Sequence, residues 1–261
     1  MTTSEKQTDL VAKGVALVTG AGRRVGNHLV RALAIAGYRV VLHADRSLAE
    51  AQATVDELAS AGHEALAVTA NLRDERATRA MIRQARDRWG RIDALVNCAA
   101  IWVPKPLEEV TAADVQAHFE VNALASFVCA QEAGLLMAAQ PAGGAIVNVG
   151  DWAVARPYLN YAAYFISKGS IATMTRMLAV ELAARNSQVR VNAILPGPVL
   201  FPDDMTDAER QAVVDATLVK RPGTPDDVVG AVLYLLTAGF VTGVCLPVDG
   251  GRSVFAPGPH D

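Results

Sequence analysis

The sequence predicts a single α/β domain of the Rossmann-like, doubly wound kind: a parallel sheet of about seven strands with helices on both faces. Three observations carry that expectation. Short β-branched runs alternate with longer helical stretches along the whole chain, and the strands are apolar at nearly every position, as strands covered on both faces are. A glycine-rich turn also stands directly between the first strand and the first helix. With 261 residues, 51% of them hydrophobic and only 5% aromatic, the chain is long enough for one large core.

GVALVTG (14 to 20) reads as the first strand. Val25, Leu29 and Leu33 then mark a helix that stops at Gly37. YRVVLH forms the second strand, and Ser47 with Glu50 reads as a capping box opening a helix to Gly62. ALAVTA, the helix from Asp74 to Trp89 and ALVN (94 to 97) follow. Thr111 with Asp114 is placed to cap a long helix, interrupted or not, reaching about Ala139. AIVNV is the fifth strand, Tyr161 to Ala184 the next helix and VRVNAIL the sixth strand. Thr224, Pro225, Asp226 and Asp227 supply a cap, a first-turn proline and acids on the positive helix end, and that helix ends near Thr237. GVCLPVDGG closes the sheet. Residues 1–13 are polar and mixed in charge and read as a flexible arm, leaving one domain over 14–261.

Composition excludes several partners. A net charge of −3 leaves no basic stripe for nucleic acid or an anionic membrane. The amino-terminal stretch lacks an apolar core, and no run long enough to span a bilayer is expected, so a cytoplasmic location is predicted. Cys98, Cys129 and Cys245 sit in apolar runs as reduced, buried side chains, and the five histidines show no ligand spacing, so no metal is expected. His118 reads as an ordinary helix residue.

In a parallel sheet, ligands bind outside the carboxyl ends of the strands. Those ends therefore hold the candidate site. Thr19 to Gly26 (TGAGRRVG) brings small residues and a helix N-terminus to where a pyrophosphate could sit, although its glycines, at 20, 22 and 26, do not fit GxGxxG, and such a turn also occurs without a phosphate. Asp151 follows the fifth strand, and Tyr164 and Lys168 lie four residues apart on the next helix, so all three could converge. On its own, the pair is also a common exposed helix motif, Asp151 could merely cap a loop, and Trp102 could serve only in packing.

With these motifs together, the chain resembles the short-chain dehydrogenases/reductases from about Val15 to Gly251. The resemblance implies an oxidoreductase in which Tyr164 and Lys168 are the catalytic pair and Asn122 the catalytic asparagine. It gives Asn97 as the first residue of the NxAG-type motif and Pro196-Gly197 as the turn beside the nicotinamide. Gly20, Gly22, Arg23, Arg24, Val25, Gly26, Asn71, Leu72, Asn97, Ala99, Lys168, Pro196, Gly197 and Val199 are the implied cofactor contacts, with Asn71 accepting from the adenine amine. A homotetramer and a variable substrate lid over about 198–220 are further family expectations.

Departures from the family pattern narrow the resemblance. Arg24 stands where a second glycine is usual, and NCAA (97 to 100) lacks the motif's last glycine. Asp151 stands thirteen residues before Tyr164, where the family carries its serine. TGAGRRVG, LHADRS and NVGD…YFISK are similar to the pteridine reductases and their dihydromonapterin-reducing relatives. That subgroup implies Trp102 as the aromatic that sandwiches a pterin against the nicotinamide, with Arg24, Asp151, Tyr161 and Tyr164 as the other substrate contacts.

The chemistry can be argued from the side chains. Hydride reduction of C=N or C=O needs a proton at the heteroatom, and a phenol of reference pKa about 10 can give one if a neighbouring ammonium lowers that value. Lys168 is placed to do so and to reach the ribose hydroxyls. A serine hydroxyl would donate to a ketone oxygen, whereas an Asp151 carboxylate suits the N–H donors of a pterin. After the second strand, Arg46 and Ser47, with Arg23, favour the 2′-phosphate of NADPH, with Asp45 the one feature favouring NADH. The expected function is NADPH-dependent reduction of a dihydropterin, with hydride to C6 and a proton to N5. The alternatives are a carbonyl reductase of the 3-oxoacyl-thioester, sugar or steroid type, and a non-catalytic NADP-sensing protein.

Overall fold

A computed structural model describes residues 13–255. Residues 1–12 of the expected arm and 256–261 of the expected domain lie outside the described residues. Strands β1 (Gly14–Thr19), β2 (Tyr38–Ala44), β3 (Ala65–Thr69), β4 (Ala94–Asn97), β5 (Gly144–Val149), β6 (Val189–Pro196) and β7 (Cys245–Val248) form one sheet in the order β3-β2-β1-β4-β5-β6-β7. Every neighbouring pair is parallel.

Alternation along the strands sorts side chains to two faces. Val15, Leu17, Leu95 and Ile146 point to one core, shared with α3 (Glu75–Trp89), α5 (Ala125–Ala138) and α6 (Ala162–Ala183). Ala16, Val18, Val96 and Val147 point to the other, shared with α1 (Arg24–Ile35), α2 (Leu48–Ser60) and α8 (Pro225–Thr237). Every residue of β1 and β4 is buried, which explains their unbroken apolar runs.

Two helix starts form as expected. Thr111 and Asp114 make a full capping box on α4 (Ala112–Phe119), and Thr224 and Asp227 make another on α8 with Pro225 in the first turn. The helix from Ala112 continues through a π-helical turn, Glu120–Leu124, into α5. The Ser47–Glu50 box does not form. Ser47 caps nothing with its side chain, and the Glu50 carboxylate accepts instead from the Arg23 guanidinium, a stronger, charge-assisted partner.

The expectation that no run is long enough to span a bilayer also needs correction. Ala112–Ala138 is a continuous 27-residue helical run in which an 18-residue window has a mean hydropathy of 1.4, but 56% of that window is buried. Cys129, Ala130, Ala133 and Met137 fill the core beneath the sheet, so its apolarity is that of a core helix.

Replacing Thr224 with alanine removes the hydroxyl that accepts from the Asp227 amide at the start of α8. We expect a loss of about 1 kcal/mol, seen as a lower urea midpoint at unchanged slope. A changed slope would mean that the denatured state, not the cap, had been altered.

Candidate active site

The strand order reverses between β1 and β4, which opens a crevice at their carboxyl ends. Thr19 closes its floor: its hydroxyl accepts from the Cys98 and Ala99 amides at 3.0 and 3.1 Å. Gly20 follows at φ +67°, and a Cβ there would come within 2.7 Å of the Ala99 Cα, so both backbone shape and space require glycine. At Gly22 a Cβ would collide with the Ser47 hydroxyl. This cradle at the start of α1, where Gly20 and Gly22 leave no room for a Cβ, fits a pyrophosphate.

Arg24, at the expected glycine position, has φ +54°, so the position keeps its left-handed backbone while carrying a side chain. Its guanidinium donates to the Leu200 carbonyl at 3.3 Å and thereby ties the turn to the segment after β6. Arg23 is paired with Glu50, whereas the Arg46 side chain is 96% exposed beside Asp45. Val25 packs partly against the α1-side core and Gly26 is buried. Gly197 abuts Asp249 where β6 meets β7, and Val199 packs against the α1-side core.

Other cofactor-side expectations meet a different geometry. The Asn71 amide oxygen, expected to accept from adenine, accepts from the Arg73 amide at 3.0 Å, and the Leu72 side chain is part of the core. Asn97 donates to the Ser126 carbonyl and to Asn148, while its own amide oxygen is buried without a partner.

At the end of β5, Asp151 has two roles. One carboxylate oxygen caps a 3₁₀ turn, Trp152–Val154, through the Ala153 amide, and the other accepts from the Tyr164 hydroxyl at 2.6 Å. The loop cap is therefore present, and the same carboxylate also meets the candidate Tyr164. Lys168, one turn along α6, is buried and donates to the Val149 carbonyl at 2.7 Å. Asn122 lies on the π-turn, where its amide accepts from the Ile101 N–H and donates to the Ile101 carbonyl and to Ser167.

Burial and the adjoining Asp151 carboxylate push the Tyr164 phenol above its usual range, the opposite direction to the lowering expected from Lys168. Burial likewise raises Asp151, against the Tyr164 hydrogen bond and Lys168 that pull it down, and burial lowers Lys168. The phenol consequently keeps its proton in this arrangement and is not a phenolate.

Trp102 is 45% exposed, so simple core packing does not describe it. It stacks on Tyr161 with ring centroids 4.6 Å apart and donates to the Tyr158 hydroxyl at 3.2 Å. Tyr158 meets both Tyr161 and Phe165 edge-on, and Tyr161 meets Tyr164 likewise. The result is one aromatic wall beside the phenol.

A family model described as enoyl-(acyl carrier protein) reductase matches residues 20–253. The 3-oxoacyl-[acyl-carrier-protein] reductase of Synechocystis sp. is 34% identical over 92% of this chain and 97% of its own. The L-xylulose reductase of Bos taurus is 35% identical over 90% of this chain and 95% of its own. The chain belongs to the short-chain dehydrogenase/reductase family. A solved blue fluorescent protein from a metagenomic library, in complex with NADPH, superposes with a TM-score of 0.84 at 34% identity, covering 92% of this chain and 98% of that one. The family uses nicotinamide cofactors, and the cradle before α1 fits one.

Several residues around the candidate site of this short-chain dehydrogenase/reductase were missed by sequence reasoning. Tyr158 and Phe165 complete the aromatic wall, and their spacing around Tyr161 along one helix start was the available signal. His118 is no ordinary helix residue: its ring sits between the Asp114 carbonyl and the Val103 amide, and so helps hold the Trp102 loop. Arg252 lies over Trp152 at 4.7 Å and donates to Val213, a contact no local pattern announces.

Two outcomes are expected. Arg24→Gly should relieve the left-handed strain and raise unfolding stability by about 1 kcal/mol; an unchanged or lower value would show that the Leu200 contact outweighs the strain. A folded-state Asp151 pKa above the unfolded one means that stability present at pH below about 3.9 is lost as pH rises through the raised value. Asp151→Asn should therefore gain on the wild type as pH rises across that window in urea titrations, and parallel profiles would contradict the raised value.

Proposed function

We propose that this short-chain reductase reduces the pyrazine ring of a dihydropterin with NADPH. The Asp151–Tyr164 contact at 2.6 Å carries the reading. It places an acceptor beside the protonated phenol where ketone reduction calls for a second donor. A ketone oxygen offers such a carboxylate nothing, whereas the amino group and ring N–H of a pterin can donate to it. The stacked Trp102 and Tyr161 rings and the Arg24 guanidinium suit a flat heteroaromatic substrate.

In this reading NADPH supplies the hydride that arrives at C6. Tyr164 gives its proton to N5, and Asp151 holds the ring through its N–H groups or passes a proton itself. Lys168, which donates to the Val149 carbonyl one helical turn from Tyr164, is placed to stabilise the phenolate left after transfer. Asn122 fixes the Ile101 backbone and therefore the approach of Trp102. Gly20, Gly22 and Gly26 receive the pyrophosphate, and Arg46, Ser47 and Arg23 the 2′-phosphate, for which Arg23 must leave Glu50. Asn71 turns its amide to the adenine; Leu72, Asn97, Ala99, Pro196, Gly197 and Val199 line the remainder.

The segment 198–220, with α7 (Asp207–Asp215) capped by Thr206, is the substrate lid of a single domain over 14–261. A cytoplasmic homotetramer completes the proposal, with exposed Leu124, Leu135, Ile166 and Val180 available to pack between copies.

The named relatives favour a second reading, reduction of a 3-oxoacyl thioester or a sugar ketone. NADPH oxidation with dihydrobiopterin, dihydromonapterin, an acetoacetyl thioester and xylulose separates the two. Turnover confined to the carbonyl compounds would overturn the pterin reading, and tight NADPH binding without turnover would point to a sensor. Asp151→Ser should lower pterin kcat/KM by about 10²-fold while raising the rate with ketones; a parallel fall with both would deny Asp151 its discriminating role.

A further inference from the structure

We propose that His43 is a positioning residue for the nicotinamide cofactor, its imidazole clasping the glycine-rich turn to the end of β3. His43 lies near the end of β2, and its side chain is almost wholly buried. Nδ1 is 3.2 Å from the Gly20 amide nitrogen, and Nε2 is 3.0 Å from the Ala70 carbonyl oxygen. The His43 carbonyl accepts from the Ala21 amide at 2.8 Å, so backbone and side chain hold successive amides of the turn.

The partners fix the tautomer. A peptide amide can only donate and a peptide carbonyl can only accept, so Nδ1 is bare and Nε2 carries the hydrogen. β1 and β3 do not touch, because β2 lies between them. A single ring on β2 therefore sets the distance between Gly20, which opens the cradle, and Ala70, which precedes Asn71 and Leu72. A pyrophosphate and an adenine belong to one covalent ligand of limited reach, so that distance bears on whether both ends are met together.

Protonation would turn Nδ1 into a donor facing a donor. β1 and β3 carry no titratable side chain, the Arg23 and Arg24 side chains of the turn are exposed, and Asp45 is the charged group acting on the ring. Burial outweighs Asp45 and holds the imidazole below its usual value. The clasp is thus fully present above pH about 6.5 and lost as pH falls through the lower folded value.

The test is direct NADPH binding near neutral pH, with thermal midpoints measured alongside, on wild type and on His43→Asn, His43→Gln and His43→Leu. The Asn amide oxygen can replace Nδ1 as acceptor for Gly20, whereas Gln can reach only the Ala70 end. We expect the Asn variant to bind within about threefold of wild type and the Gln and Leu variants to bind roughly tenfold or more weakly. Equal affinity in all, or equal loss in Asn and Gln, would overturn the proposal, and the Asn–Gln contrast stands even if the Leu variant fails to fold. Below neutral pH, wild-type affinity should fall more steeply than that of the Asn variant, the titration of the NADPH 2′-phosphate being common to both; parallel profiles would overturn the clasp. Because binding is read without turnover, a failed pterin assay leaves this result interpretable.

Discussion

Thr19 stands where the two halves of the sheet part, and the site depends on what its hydroxyl does. β1 pairs with β2 on one side and β4 on the other, so beyond Thr19 and Asn97 the chain leaves in opposite directions. The Cys98 and Ala99 amides have no strand to pair with at that point. By accepting from both, Thr19 satisfies them and draws the β4 loop against Gly20. Only glycine tolerates that approach, and so the cradle and the Trp102 loop share one wall. Asn122 and His118 then hold that loop from the helix side through Ile101 and Val103.

A second constraint concerns charge. Asp151, Tyr164 and Lys168 are all largely buried, and each is pushed by burial toward its neutral form. Lys168 finds the Val149 carbonyl, Asp151 finds the Ala153 amide and the phenol, and the cluster is stable because each polar atom has a partner. The same partners arm it. A phenol held to a carboxylate by a 2.6 Å hydrogen bond keeps its proton until a better acceptor arrives.

Most of the fold was legible in the sequence because its signals are local. β1 and β4 read as unbroken apolar runs since both faces are covered, and the caps at Thr111 and Thr224 act within their own first turns. Asp151, Tyr164 and Lys168 were legible for the same reason, being a strand end and one helical turn. What failed depended on distant partners. Glu50 has the spacing of a capping box, yet Arg23, remote in sequence, takes its carboxylate. The spacing that brings Lys168 near Tyr164 likewise says nothing of the Val149 carbonyl that accepts from its ammonium. The π-turn around Asn122 carries no sequence mark of its own, although it is what turns that amide toward Ile101.

Arg24 shows how a departure from a motif can preserve its geometry. The position keeps the left-handed backbone that makes glycine usual there, so the turn has not been rebuilt to accept a side chain. A strain of about 1 kcal/mol persists only where the surroundings hold it or a side chain is needed at that point. The Leu200 carbonyl is one exposed hydrogen bond at 3.3 Å, too weak to account for the strain alone. The guanidinium nevertheless lies between the cradle of the turn and the start of segment 198–220. Arg24 thus links the turn to segment 198–220 at a cost in backbone strain.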